Sequence, residues 1–242
     1  MTRLSMLRIA GTTALLLAGS ATFAATTFVG SDDGAPPTGP FPSSTAAQTA
    51  FLAAASAFGT VLTNGFETTA VAYAPVTAIT GATITTASPD FGTSLSGVTN
   101  GTYGGVYGFN TTSGGANWYG FPNTAPATAV FNFVQTTNSF GFFFTGVQTN
   151  FTTAITLTQL DGSALVFNLP INTNGGANYF GVVDSTGFTS VSLTLNSGGD
   201  AWGIDDVSFN TAVPEAGTWA MLIAGFGLVG AAARRRRALP TA

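Results

Sequence analysis

Residues 129–147 read AVFNFVQTTNSFGFFFTGV, and the fold is read from this run. Phe131 and Phe133 are two apart, as are Phe142 and Phe144. Two is the period at which a strand returns its side chains to one face. Polar residues around Asn138 break the run, so the pattern predicts two strands, Ala129–Gln135 and Phe140–Val147. The same language recurs on both sides, in Thr69–Tyr73, Thr77–Thr85, Ala154–Leu160, Ala164–Leu169, Tyr179–Val183, Ser190–Leu195 and Ile204–Phe209. These are short β-branched and aromatic runs separated by glycine, asparagine or proline. Asp161-Gly162 between two of them is a hairpin signal. With no fixed-period repeat, such spacing predicts an all-β, jelly-roll-like β-sandwich. Phe131, Phe133, Phe142, Phe144, Ile155, Leu157, Val166, Phe167, Val191, Leu193 and Leu195 are its expected core.

Upstream, one short N-terminal helix is expected, capped by Ser44, carrying an apolar stripe through Phe51, Leu52, Ala55 and Phe58, and ended by Gly59. Residues 25–43 hold Asp32, Asp33, Pro36, Pro37, Pro40 and Pro42 and read as a proline-rich leader. The helix-plus-sandwich domain is then 44–212. The region 100–123 mixes aromatic residues with many glycines and asparagines and reads as a long decorated loop.

Both ends are targeting segments. Residues 1–24 form a signal peptide: Arg3 and Arg8 precede an apolar stretch, and Thr22-Phe23-Ala24 offers a cleavage point for signal peptidase. At the other end Val213-Pro214-Glu215-Ala216 leads into an uncharged stretch, 216–233, expected to be a transmembrane helix. Arg234, Arg235, Arg236 and Arg237 follow it and stop transfer with their charges in the cytoplasm. Residues 213–242 resemble the PEP-CTERM sorting segment of exported Gram-negative proteins, in the variant with Trp-Ala after the Pro-Glu-Pro core. Pro214, Glu215, Trp219 and Ala220 match, and Ala216 stands where the family usually has its second proline. The resemblance implies inner-membrane anchoring with the domain in the periplasm, then cutting near the motif by exosortase, a membrane-embedded cysteine protease. It also implies a surface or extracellular protein tied to exopolysaccharide, matrix or biofilm.

All six basic residues lie in these ends, whereas nine of the ten acids lie between residues 25 and 212. The exported part has no lysine, arginine, histidine or cysteine. Nucleic-acid binding lacks its cationic footprint. Histidine triads, cysteine nucleophiles, zinc sites built on His or Cys, and disulfide staples are absent outright.

Within Trp202-Gly203-Ile204-Asp205-Asp206-Val207-Ser208-Phe209, alternation would turn one carboxylate toward apolar company unless a bulge resets the register. A buried carboxylate without a cationic side chain needs a cation or several hydrogen bonds. Ca2+, which takes hard oxygen ligands, is one candidate, with Glu67, Asp205 and Asp206 as ligands. The alternative is that Glu67 caps a turn and the aspartates accept backbone amides. The Phe66-Glu67 opening and the Ile204-Asp205-Asp206 closing look like the first and last strands of carbohydrate-binding jelly rolls with a structural calcium. Tyr103, Tyr107, Trp118 and Tyr119 are candidates to grip polysaccharide, or else to cover the sheet edge or core. A glycosidase would need carboxylates facing each other across roughly 5 to 10 Å. Adjacent Asp205 and Asp206 diverge, and Asp90, Asp161, Asp184 and Asp200 sit in turn-like contexts. The expectation is a non-enzymatic surface or matrix protein that binds carbohydrate; the alternative is a self-assembling structural protein without a ligand.

Overall fold

The structure is a computed structural model that describes residues 25–87, 97–101, 108–121, 127–148, 152–197, 202–212, 223–230 and 234. Its elements are β1 (Thr26–Asp33), α1 (Pro42–Ala55), a 3-10 turn (Ser56–Phe58), β2 (Gly59–Asn64), β3 (Val76–Ile79), β4 (Ala82–Ala87), β5 (Gly97–Thr99) and β6 (Trp118–Phe121). Then come β7 (Ala127–Thr145), β8 (Thr152–Gln159), β9 (Ala164–Asn168), β10 (Gly176–Ser197) and β11 (Trp202–Ala212).

Two long antiparallel strands build both layers of the sandwich. The first half of β7 pairs with β4 and with the second half of β10, which pairs in turn with β8. With β3 and β9 at its edges, this is the front sheet, in the order β3-β4-β7-β10-β8-β9. The second half of β7 pairs with the first half of β10 and with β11, and β1 flanks β10. On the far side of β11, β2 and the β6–β5 pair lie end to end and complete the back sheet.

The two strands expected at 129–135 and 140–147 are therefore one, as are those at 179–183 and 190–195. The polar residues between them are where the chain passes from one layer to the other. Register shifts fall between Val183 and Phe188 and between Phe188 and Ser190. Thr137 and Ser139 are buried there and donate from their hydroxyls to Asn210 Oδ1, at 2.9 and 2.8 Å. Satisfied in this way, a buried polar crossover keeps its strand geometry.

Between the layers, Phe131, Ile155, Leu157, Val191 and Leu193 of the front sheet meet Phe140, Phe142, Phe144, Phe180 and Ile204 of the back sheet in one buried cluster. Phe133 and Phe167 are partly buried against it. Val166, expected in the core, is 63% exposed because it lies on the outer side of edge strand β9.

The outer face of the back sheet carries the helix. Gly141 and Gly181 are register partners there, and Phe51 of α1 sits over them. A Cβ at Gly181 would lie 2.6 Å from Phe51 Cδ2. Residues 25–43 are not a bare leader, because β1 pairs along its whole length with β10. Its Asp32 accepts the amides of Ser43 and Ser44 at 3.0 and 2.8 Å and so caps α1 from a neighbouring strand. Ser44 is thus inside the helix rather than its cap. Burial opposes ionisation of Asp32, but the amides and hydroxyls of Ser44 and Ser43 together outweigh it and hold the carboxyl below its usual range.

Two other expected strands differ. Thr69–Tyr73 forms no strand, only a bridge from Ala72 to Val98. Thr77–Thr85 is split by a turn at Gly81 (φ 83°) into the hairpin β3–β4. Residues 1–24, the signal peptide of the sequence reading, lie outside the described residues. Of the expected membrane helix, residues 223–230 are helical and exposed, with Ile223, Phe226, Leu228 and Val229 at 68–75%. Among the described residues no helix is long and apolar enough to cross a membrane.

Candidate functional site

The acids singled out in the sequence converge on one segment, residues 108–117, which crosses the outer face of the back sheet as a strap. Asp205 leaves β11 on that face and is fully buried beneath the strap. Its Oδ2 accepts the amides of Thr111 and Thr112 at 2.7 and 3.0 Å, with both threonine hydroxyls at 3.1 and 3.3 Å. Its Oδ1 accepts the Asp206 amide at 2.8 Å. Asp206 takes φ 47°, and the pairing of β11 with β7 shifts register between Asp205 and Ser208. This bulge resolves the alternation conflict: Ile204 and Val207 both point into the core, and the extra residue turns Asp206 outward. Aspartate is among the residues that tolerate the left-handed region.

Thr112 carries one hydroxyl proton, and its 2.7 Å contact gives that proton to Asp206 Oδ1. The longer contact from the same hydroxyl leaves Asp205 Oδ2 with the two backbone amides and the Thr111 hydroxyl as its nearer donors. Burial, and next the charge of Asp206, push the Asp205 carboxyl up to about 7, against the opposing pull of the Thr111, Asp206 and Thr112 amides. Asp206 is raised as well, by burial and by Glu67, with the Thr112 hydroxyl pulling the other way.

Glu67 pins the other end of the strap. Its Oε1 accepts Asn110 Nδ2 at 2.9 Å and the amides of Ala116 and Asn117 at 3.0 Å. Its Oε2 also accepts Ala116 N at 3.0 Å. A Cβ at Gly115 would stand 2.2 Å from Oε1, so a larger residue there would have to displace the Glu67 carboxylate from its donors. Asn117 Nδ2 donates back to Phe66 O at 3.1 Å, which latches the two loops together.

The site residues read from the sequence separate accordingly. Glu67, Asp205 and Asp206 do come together, but as acceptors of N–H and O–H donors. Donors crowd Asp205 Oδ2 and Glu67 Oε1 in particular, and a cation there would have to displace them. Among the described residues no group of three acidic, histidine or cysteine side chains could hold a metal. As arranged, these three carboxylates do not fit Ca2+.

The expectation of Trp118 and Tyr119 as sugar-gripping rings on a loop is corrected. Both are fully buried in β6. Trp118 lies over Gly108 and Gly203, where an added Cβ would come within 2.3 Å of its ring, and its Nε1 donates to Gly101 O at 2.9 Å. Tyr119 faces the core, its hydroxyl bonded to Thr86. Tyr103 and Tyr107 lie outside the described residues, as do Asp90, Asp200 and the sorting residues Pro214, Glu215, Trp219 and Ala220. Of the stop arginines, only Arg234 is described, in helical conformation, while Arg235, Arg236 and Arg237 are outside. Asp161 serves the turn expected of it, accepting Ser163 N at 2.9 Å, whereas Asp184 lies buried within β10, where it accepts Thr186 N at 3.0 Å and Gln159 Nε2. Sequence reasoning missed the strap's function because its anchors lie more than forty residues away along the chain.

Fold and strap define an all-β sandwich module whose last strand ends at Ala212. At that point begins a match to a family model described as the PEP-CTERM protein-sorting motif, over residues 212–237. The chain therefore carries this motif at its C-terminus, which marks an exported, membrane-sorted protein of a Gram-negative bacterium. No curated protein matches the sequence. Among solved structures, the K2 cleaved adhesin domain of Lys-gingipain is similar at 15% identity, covering 63% of this chain and 98% of its own, with a TM-score of 0.45. TmCBM61, solved with β-1,4-galactotriose, is similar at 12% identity, covering 61% and 95%, with a TM-score of 0.36. The C-terminal family 22 carbohydrate-binding module of Clostridium thermocellum Xyn10B is similar at 13% identity, covering 65% and 97%, with a TM-score of 0.33.

Proposed function

We propose that this protein is a non-enzymatic surface or matrix component, held in the inner membrane by its C-terminal segment, released by an exosortase-type protease, and acting outside the cell by contact with polysaccharide. One observation carries the reading: the sorting motif begins where the last strand of the sandwich ends. A cut within the motif frees a complete module and leaves behind a short apolar helix and four arginines. The non-enzymatic part is supported by the acids. Asp205, Asp206 and Glu67 all accept hydrogen bonds from the strap, and of the three only Glu67 lines a cleft, with Leu62, Asn64 and Thr80.

The test is fractionation of producing cells with and without the membrane protease, following the intact chain by mass. The expected result is a form ending between residues 212 and 217 outside the cell, lost when the protease is deleted or when Glu215 becomes alanine. Equal release from all three strains would sink the sorting mechanism.

A further inference from the structure

The helix and the strap both cover the back sheet, so the outer face of the front sheet is the bare one. Across its six strands a single register row runs Val76, Thr85, Val130, Ser192, Thr156 and Val166. Two residues further along the four central strands, Thr83, Asn132, Ser190 and Thr158 repeat the polar chemistry, flanked by Ala78 and Ala164 at the edges. These side chains are exposed or half-buried, and the rows hold neither a charge nor an aromatic ring. At the usual separation of paired strands the face is about 25 Å across.

We propose that this face binds a long, uncharged polysaccharide laid across the strands, an assignment that rests on the polysaccharide reading above and gives it a site. Threonine, serine and asparagine each donate and accept, as sugar hydroxyls do, and the methyl groups of threonine and valine pack against sugar C–H surfaces. Charge selects the occupant. The exported part carries nine acids and no cationic side chain, so an anionic polymer finds no partner and is repelled. Two copies meeting face to face would bring two such acidic bodies together. A neutral face on an acidic body fits a neutral ligand. Without an aromatic platform each sugar unit contributes little, and affinity comes from many weak contacts along one chain.

The test uses the full-length protein in detergent, with affinity electrophoresis through gels containing dextran, galactomannan, xylan or hydroxyethyl cellulose. At least one long neutral polymer should retard the protein, equally at low and high salt, and six-unit oligosaccharides of that polymer should compete at least about tenfold less well per sugar. Thr156→Glu combined with Ser192→Glu should abolish the retardation. Thr156→Val, which keeps shape and removes one hydroxyl, should weaken it with an unchanged melting temperature. Retardation of the wild type that survives in both variants would overturn this face and leave the polysaccharide reading standing. No retardation by any neutral polymer would overturn both. A dimer in sedimentation that the Glu variant dissociates would show the face to be a self-contact and overturn the proposal.

Discussion

At the scale of single residues, the pair Asp205–Asp206 sets the acid–base behaviour of the domain. The folded-state pKa of Asp205 is about 7, against an ordinary value of 3.8. Between those pH values the folded protein holds a proton that the unfolded chain has lost. Stability therefore falls as pH rises through this window, and the full cost, on the order of a few kcal/mol, is present above it. Asp206, also raised, acts in the same direction. Asp32 is held below its usual value, so its contribution is lost only as pH drops through that lower range. Thermal melts should show a higher Tm near pH 5 than at pH 8. Asp206→Asn keeps an acceptor for Thr112, suits φ 47°, and removes the charge beside Asp205, so its melting profile should be the flatter one. Parallel profiles for the two proteins would refute this coupling. The sequence made the Asp205–Asp206 conflict legible, because strand alternation allows only a buried carboxylate or a bulge. It gave no sign of which partners would meet the carboxylates, since Thr111 and Thr112 reach Asp205 from 94 and 93 residues away.

At the scale of elements, the helix depends on a pair of glycines that no periodicity announces. Gly141 and Gly181 are directly opposite in the back sheet, and the Phe51 ring lies over both. Gly181→Ala should cost roughly 1–3 kcal/mol in urea unfolding through overpacking, and Phe51→Ala roughly 3–5 kcal/mol through the void it leaves. Combined, they should cost clearly less than their sum, because the small side chain at 51 relieves the clash at 181. Full additivity would show that the ring and the glycine do not share this contact. Individual strand segments were legible because two-residue alternation is local, whereas the joining of two segments into β7 or β10 depends on a crossover buried by Asn210 from another strand. β1 was hidden for a related reason. It follows residues 1–24, read from the sequence as a signal peptide, holds few apolar residues, and is a strand only by virtue of β10. The strap, too, is an element with a testable attachment. Glu67→Ala should increase amide exchange at 110–117 and leave the front sheet protected. Since amides and hydroxyls hold these carboxylates, chelator should not change the Tm. A drop of several degrees in chelator, reversed by Ca2+, would mean that a cation holds the strap.

At the scale of the whole molecule, the sandwich and residues 223–230 of the tail differ in what their apolar side chains touch. β11 lies between β7 on one side and β2 and β6 on the other, so the last strand before the tail cannot be spared. The described part of the tail, by contrast, packs against nothing: its apolar side chains are 68–75% exposed, and a Cβ added at Gly225, Gly227 or Gly230 would meet no atom within 4 Å. Exposed apolar residues of this kind gain little from the sandwich and much from a membrane, at about 25 cal/mol for each Å² removed from water. Cutting between the two should thus leave the fold unaltered while changing where the protein resides. A chain ending at Ala212 should melt within about 2 °C of the full-length protein and partition into the aqueous phase, because mutations or truncations remote from the packed core rarely move stability further. A chain ending at Asp206 loses the pairing of residues 207–212 with β2 and should fail to fold. If instead the chain ending at Ala212 were strongly destabilised, the tail would have to be part of the folded unit. Release by a cut in the motif would then unfold the very module it delivers.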